Sequence, residues 1–467
     1  MKKETNLIKS TVQNYFLIGM VALLFSLMFQ GYNDFIWSLV LPLIALLGTY
    51  MLYLCYVSVG ERRFVMAMFC WALVFRVSSV MLLYYVLMSY NGMPFLSLKD
   101  DYEYQDAAVA IMQRWRSSGF GFYDDLTFSS DTYSGFPNFS AALMMLFGTS
   151  PLVPRLGNAV LSSFTCLIAY AIIKGYAERE KARFACTVLV ALPLTITFSA
   201  MQFKDTLLLF FISIGLYASI AIIKGTRVWL AVFLLVFSYL GCSFGRPAVI
   251  VPMAVALITM VVRAFFAKRR QGNTIVKVLS LVAIVYLLLY GYRLLSEMGF
   301  VDIDAYFDSR YQGLTEKDIQ DSEAGVRNMS IAQYLGAPLY FAAGLFLPPP
   351  LLVSLEGSVN YALWAVLAHY AFLPFLVIGM WYGFLRRKDY PAPFFLLLVY
   401  VFLRVGQANS LMTSFSPRQS LATLFIMYLL LPLYKPGKVV WKQVIVILTL
   451  LTMFAYNIVR LKSHGML

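Results

Sequence analysis

Four carboxylates fall within seven positions of LKDDYEYQDAAVA, residues 98–110: Asp100, Asp101, Glu103 and Asp106. A cluster of acids beside hydrocarbon costs free energy unless it faces water or has a chemical task. A carboxylate held at a membrane surface can deprotonate a hydroxyl that attacks a carbon bearing a phosphate leaving group. Basic groups opposite it would stabilise the departing charge. Candidates for that second role are Arg155, Lys204, Arg246, Arg293, Arg404 and Arg418, which the topology below places at external ends of apolar runs. Arg and Lys are natural partners of phosphate oxygens, and the competing use of each is to snorkel toward lipid headgroups.

Spacing ranks these groups. On a helix, Asp101 aligns with Tyr104 and Ala108, whereas Glu103 and Asp106 turn away as solvated acids. Asp101 is therefore the favoured base and Asp100 its rival, with Tyr104 in support. The bland alternative is that the acids merely open a helix, where Asp is favourable. Lys204 sits in a Lys-Asp pair at the apex of a tight hairpin, and Asp205 can pair with it. Arg418 lies in SFSPRQS, where Pro417 and Arg418 would leave first-turn amides free for an anion. Arg76, in FRVSS, falls in mid-helix and is expected to be structural.

The elements that must position these residues are membrane helices. Of the 467 residues, 61% are hydrophobic and 13% charged, against about a quarter charged in soluble domains. The apolar runs have the length of spanning helices and lack the alternation of a membrane barrel. The fold class is all-α, a polytopic membrane protein. The net charge of +14 sits in short clusters such as Lys268-Arg269-Arg270 and Arg386-Arg387-Lys388, which mark cytoplasmic turns and leave no basic surface for nucleic acid. Membrane lipids are the implied surroundings. The five cysteines form no CxxC pair and the two histidines, His369 and His464, make no metal site. No cofactor or metal is assigned, although Asp100, Asp101 and Asp205 offer oxygens that suit a divalent cation.

With the N-terminus inside, spans are expected at 15–30, 35–57 and 64–90, the first retained as an anchor. An external loop over 91–150 then carries amphipathic helices at 102–115 and 139–147. Spans follow at 151–173, 184–201 and 203–223, the last two meeting externally at 202–205. The next hairpin turns at Gly245-Arg246-Pro247. After a span at 276–295, a second acidic external loop covers 296–333, and the proline-broken run 335–352 is expected to be re-entrant or interfacial. Spans at 361–384, 393–403, 420–434 and 439–458 bring the count to about thirteen transmembrane helices. The chain divides into 1–90, 91–150, 151–295, 296–358 and 359–467. The expected location is a bacterial inner membrane, with the catalytic edge on the external face.

The stretch 98–210 resembles the GT-C superfamily of integral membrane glycosyltransferases, whose relatives include protein O-mannosyltransferases and bacterial aminoarabinose transferases. The resemblance rests on Asp101-x-x-Tyr104-x-x-x-Ala108, on FPNFSAALMMLFGTSPLVPRLGNAVLSSFTCLIAY (136–170) and on ALPLTITFSAMQFKDTLLLF (191–210), with SPRQSLATLFIMYLLLPL late in the chain. It implies a polyprenyl-phosphate-linked sugar donor and a glycan, lipid or polymer acceptor. It also implies Asp101 or Asp100 as base, with Lys204 and Arg418 on the lipid phosphate; Arg246 and Arg404 are further candidates for that phosphate. A polymerase of lipid-linked repeat units is a neighbouring reading. A lipid-linked oligosaccharide flippase is the alternative from another class, and it would need charged groups at mid-membrane depth, where mainly Arg76 and His369 lie.

Overall fold

The computed structural model describes residues 61–96, 100–121, 135–245, 250–266, 363–385, 391–409 and 421–434, with single residues 444 and 447. Every element among them is helical. Among the described residues, three helices are long and apolar enough to cross a membrane: α1 (Arg62–Asn91), α4 (Leu152–Lys174) and α7 (Lys204–Lys224). A bent pair, α5 (Arg179–Ala191) and α6 (Pro193–Ser199), passes the same test when taken together. The chain is thus an integral membrane protein on length and composition. The spans expected at 15–30, 35–57, 276–295 and 439–458, the second external loop and the run at 335–352 lie outside the described residues.

The described residues fall into two compact units. One is formed by those lying in Met1–Tyr170, Cys186–Phe210 and Phe244–Arg246; the other by those in Ala171–Ala185, Phe211–Ser243 and Pro247–Leu467.

In the first unit, α1 lays Phe69, Leu73, Val77 and Val80 against Leu152, Leu156, Ala159 and Val160 of α4, at the spacing that keeps one helix face continuous. Gly92 caps α1 in the left-handed conformation, φ +69°, with its N–H on the Met88 carbonyl. The two helices expected in the 91–150 loop are present as α2 (Asp100–Ser118) and α3 (Gly135–Phe147). They pack through Ala108, Ile111, Met112 and Trp115 onto Ala141 and Met144. This face continues the line of Tyr104 and Ala108 expected from helical spacing, with Tyr104 half-buried at its head. Trp115 donates its indole N–H to the Gly121 carbonyl at 2.5 Å and stacks on Phe120. At Gly157 of α4, an added Cβ would stand 2.5 Å from Leu143 of α3, so glycine sets how closely these helices meet.

The sequence pattern predicts one straight helix over 184–201; the structure breaks it at Leu192. Pro193 has no N–H and disfavours helical ψ at the residue before it. Leu192 is accordingly extended, φ −67° and ψ 114°, and Pro193 opens α6. The two pieces meet at 46°. Side chains add donors at the break: the Thr195 hydroxyl lies 3.4 Å from Leu189 O, whose helical donor would have come from Pro193, and 3.0 Å from Leu192 O, which also accepts the Ile196 N–H, while Arg76 Nη1 donates to Val190 O at 3.4 Å. Arg76 also donates from Nη1 to Ala72 O, from Nε to Ser162 Oγ and from Nη2 to Cys166 Sγ and Thr195 Oγ1. The structural role expected of Arg76 is thereby given a form.

In the second unit, α8 (Val228–Gly245) packs on the part of α7 from Phe211 onward through small residues. Ser238 Oγ donates to Phe211 O at 2.6 Å, and a Cβ on Gly241 would overlap the Phe211 ring. Such close approach is the usual basis of helix association in lipid. Helices α9 (Ile250–Phe266), α10 (Leu363–Leu385), α11 (Pro391–Asn409) and α12 (Leu421–Leu430) pack together in the same unit. A final 3-10 turn covers Leu431–Leu433. His369 Nδ1 lies 3.3 Å from the Tyr428 hydroxyl there.

Candidate active site

The candidate base stands at the start of α2. Asp100 is the first residue of that helix and Asp101 the second. The Asp101 side chain is only 1% exposed. Its Oδ2 accepts the Leu96 N–H at 2.5 Å and its Oδ1 the Tyr102 N–H at 3.2 Å. These backbone donors fix the direction of the carboxylate.

One turn along α2, Tyr104 and Gln105 face the loop between α6 and α7. Lys204, the first residue of α7, is 3% exposed and holds its ammonium 5.7 Å from the centre of the Tyr104 ring. A lysine is a poor choice for a helix N-terminus, where the free amides already carry positive potential; an acid such as Asp205, next in sequence and also buried, is the favourable one.

Amide side chains tie the same loop down. Gln105 donates to Thr149 O at 3.0 Å and accepts from Gln202 Nε2 at 3.0 Å. Asn158 Nδ2 donates to Met201 O at 2.9 Å and Phe203 O at 3.0 Å. The Thr206 hydroxyl closes the turn on Phe198 O. The hairpin apex read from the sequence is thus a rigid turn, gripped from α2 by a glutamine pair and from α4 by an asparagine.

Arg155, in the first turn of α4 one turn before Asn158, is 1% exposed. Its Nη2 donates to Pro94 O. Its guanidinium carbon lies 5.8 Å from the Tyr84 ring centre and 5.7 Å from that of Phe95. It interacts electrostatically with Asp101. Its Nε and Nη1 have no hydrogen-bond partner. The structure therefore brings Asp101, Tyr104, Lys204 and Asp205 into one unit, and adds Arg155, Gln105, Asn158 and Gln202. Of these additions, Arg155 stood among the basic residues at helix ends, but nothing in the sequence tied it to Asp101. The three amides sit in or beside apolar runs and carry no charge pattern to single them out.

The remaining candidates are placed differently. Arg404 was expected at an external helix end. It lies within α11, in the second unit, fully buried with its guanidinium carbon 5.8 Å from the Tyr400 ring centre. Arg246 and Arg418 lie outside the described residues.

No protein-family model matches the chain, and no curated protein matches it. Among solved structures it is similar to the apo-form oligosaccharyltransferase of Archaeoglobus fulgidus, at 11% sequence identity and a TM-score of 0.47. The match covers 85% of this chain and 55% of that one, so the chain spans about half the length of that protein.

Proposed function

We propose that the protein is a membrane-embedded glycosyltransferase that moves a sugar or oligosaccharide from a polyprenyl-phosphate or pyrophosphate carrier to a glycan, lipid or cell-surface polymer. The observation that carries this reading is a buried carboxylate and a buried ammonium in the same unit, the ammonium lying over a ring one helical turn from the carboxylate. Asp101 and Tyr104 share a face of α2, and Lys204 lies over Tyr104. Reaction at a phosphate-bearing carbon needs those two charges and little else from the protein.

Asp101 takes the proton of the acceptor hydroxyl as its oxygen attacks the sugar carbon. The bond from that carbon to the phosphate oxygen breaks with its electron pair, and Lys204 stabilises the charge left on the carrier. A single displacement inverts the configuration at carbon. The catalytic edge faces the external side of the membrane in this reading, as the positive clusters direct.

Transfer from a defined lipid-linked sugar, measured with the Asp100→Asn, Asp101→Asn and double variants, tests it. Loss of turnover in Asp101→Asn supports the assignment, and near-normal turnover in all three removes the proposed base. A ladder of products instead of a single addition would assign the same site to a polymerase.

A further inference from the structure

We propose that residues 92–96, the described part of the chain that follows α1, form a strap seated on the groups that the substrates use, and that Arg155 beneath it is a further binding residue for an anionic oxygen. The inference rests on the donor reading above.

The two ends of the strap are held by opposite charges from different helices. Arg155 Nη2 of α4 donates to Pro94 O, and Leu96 N–H donates to Asp101 Oδ2 of α2. Between them Phe95 is buried, against the Arg155 guanidinium on one side and edge-on to Tyr102, with ring centres 5.4 Å apart, on the other. With the strap in place Asp101 is sealed from any acceptor. A base must reach the proton it abstracts, so the strap has to leave for the reaction to proceed.

The bonds that it gives up are replaced in kind. A phosphate oxygen accepts from Arg155 where a carbonyl did, and a hydroxyl donates to Asp101 where an amide did. The strap is also an incomplete occupant, because Nε and Nη1 of Arg155 are buried without hydrogen-bond partners. A buried donor left unmade costs about 1–3 kcal/mol, more when charged. A phosphate, with several acceptor oxygens, can engage nitrogens that a single carbonyl leaves idle. At the α1 end the strap starts at Gly92, where φ is +69° and nothing lies within 4 Å of where a Cβ would stand. That end is uncrowded.

The full chain in lipid nanodiscs is titrated with polyprenyl phosphate, with polyprenol of the same length and inorganic phosphate as comparators. Wild type is expected to prefer the phosphate over the alcohol. Arg155→Gln should weaken polyprenyl-phosphate binding by about 100-fold and Arg155→Lys by about 10-fold, since a single ammonium does not reproduce a planar fork; polyprenol binding stays unchanged. Phe95→Ala loosens the strap and leaves the Arg155 and Asp101 side chains themselves in place, so binding should tighten by about 3-fold. On wild type, hydrogen exchange at the Leu96 amide should speed up when polyprenyl phosphate and an acceptor glycan are both present, a response that needs no variant to fold.

Wild-type affinity in any Arg155 variant that folds overturns the Arg155 assignment. Unchanged or slower exchange at Leu96, or unaltered binding in Phe95→Ala, overturns the strap. Preference lost in Lys204→Met but intact in Arg155→Gln leaves the donor reading standing and sinks only this inference. No preference in wild type for the phosphate over the alcohol sinks both. Equal binding of inorganic phosphate keeps Arg155 as an anion ligand and removes the carrier.

Discussion

Arg76 and Arg155 are both fully buried arginines of the first unit, and they are treated in opposite ways. Arg76 makes five hydrogen bonds, from all three of its nitrogens, to Ala72, Ser162, Cys166, Val190 and Thr195. Arg155 bonds only through Nη2, to Pro94, while Nε and Nη1 have no hydrogen-bond partner. A saturated buried cation has its work inside the fold. One whose donors are left idle beside a buried carboxylate has capacity for something that arrives from outside. Satisfaction of donors, more than burial, separates a structural charge from a binding one.

The largest test bears on the carboxylate that Arg155 faces. Asp101→Asn keeps the size of the side chain and should lower transfer by about 1000-fold, within the range for loss of a general base, while Asp100→Asn changes it by less than about 10-fold. Equal losses would move the base to the pair. Next, Arg76→Met should lower stability by about 3 kcal/mol in thermal unfolding, because a bonded network loses its centre. Arg155→Met made in the Asp101→Asn background, where no buried carboxylate is left facing it, should cost less than about 1 kcal/mol, because an apolar side chain avoids the desolvation of a charge that is incompletely bonded. Similar destabilisation by both would erase the distinction drawn above. A smaller effect, about 2 kcal/mol, is expected from Asn158→Leu, which strands the Met201 and Phe203 carbonyls. Smallest is Ser162→Ala at about 1 kcal/mol, which removes only the Nε partner of Arg76 and should leave transfer untouched.

Much of the described fold was legible because apolar length and helical spacing are properties of one segment at a time. Helices over 62–91, 152–174 and 204–224 follow from their runs, and the buried face of α2 follows from Ala108, Ile111, Met112 and Trp115. The break at Leu192 was not foreseen, although Pro193 is the cause, because the apolar composition continues across it. Within the site, Asp101 and Lys204 stood out as charges next to long apolar runs. Gln105, Asn158 and Gln202 did not, since their significance arises only when three distant segments meet and exchange hydrogen bonds. Arg404 was misplaced at a helix end because hydropathy sets where a run fades, not where the helix stops; α11 continues to Asn409.

The break before Pro193 carries a consequence for how such sequences vary. The proline removes the donor that Leu189 O would have had, and the bend releases the buried carbonyl of Val190, to which a guanidinium from α1, more than 110 residues away in sequence, donates. The dependence is unequal: the proline without the arginine leaves the Val190 carbonyl without that donor, whereas the arginine without the proline keeps acceptors at Ala72, Ser162 and Cys166, which lie outside the broken helix. Relatives that keep Pro193 should therefore keep a donor at position 76, while relatives that lose Pro193 can keep Arg76.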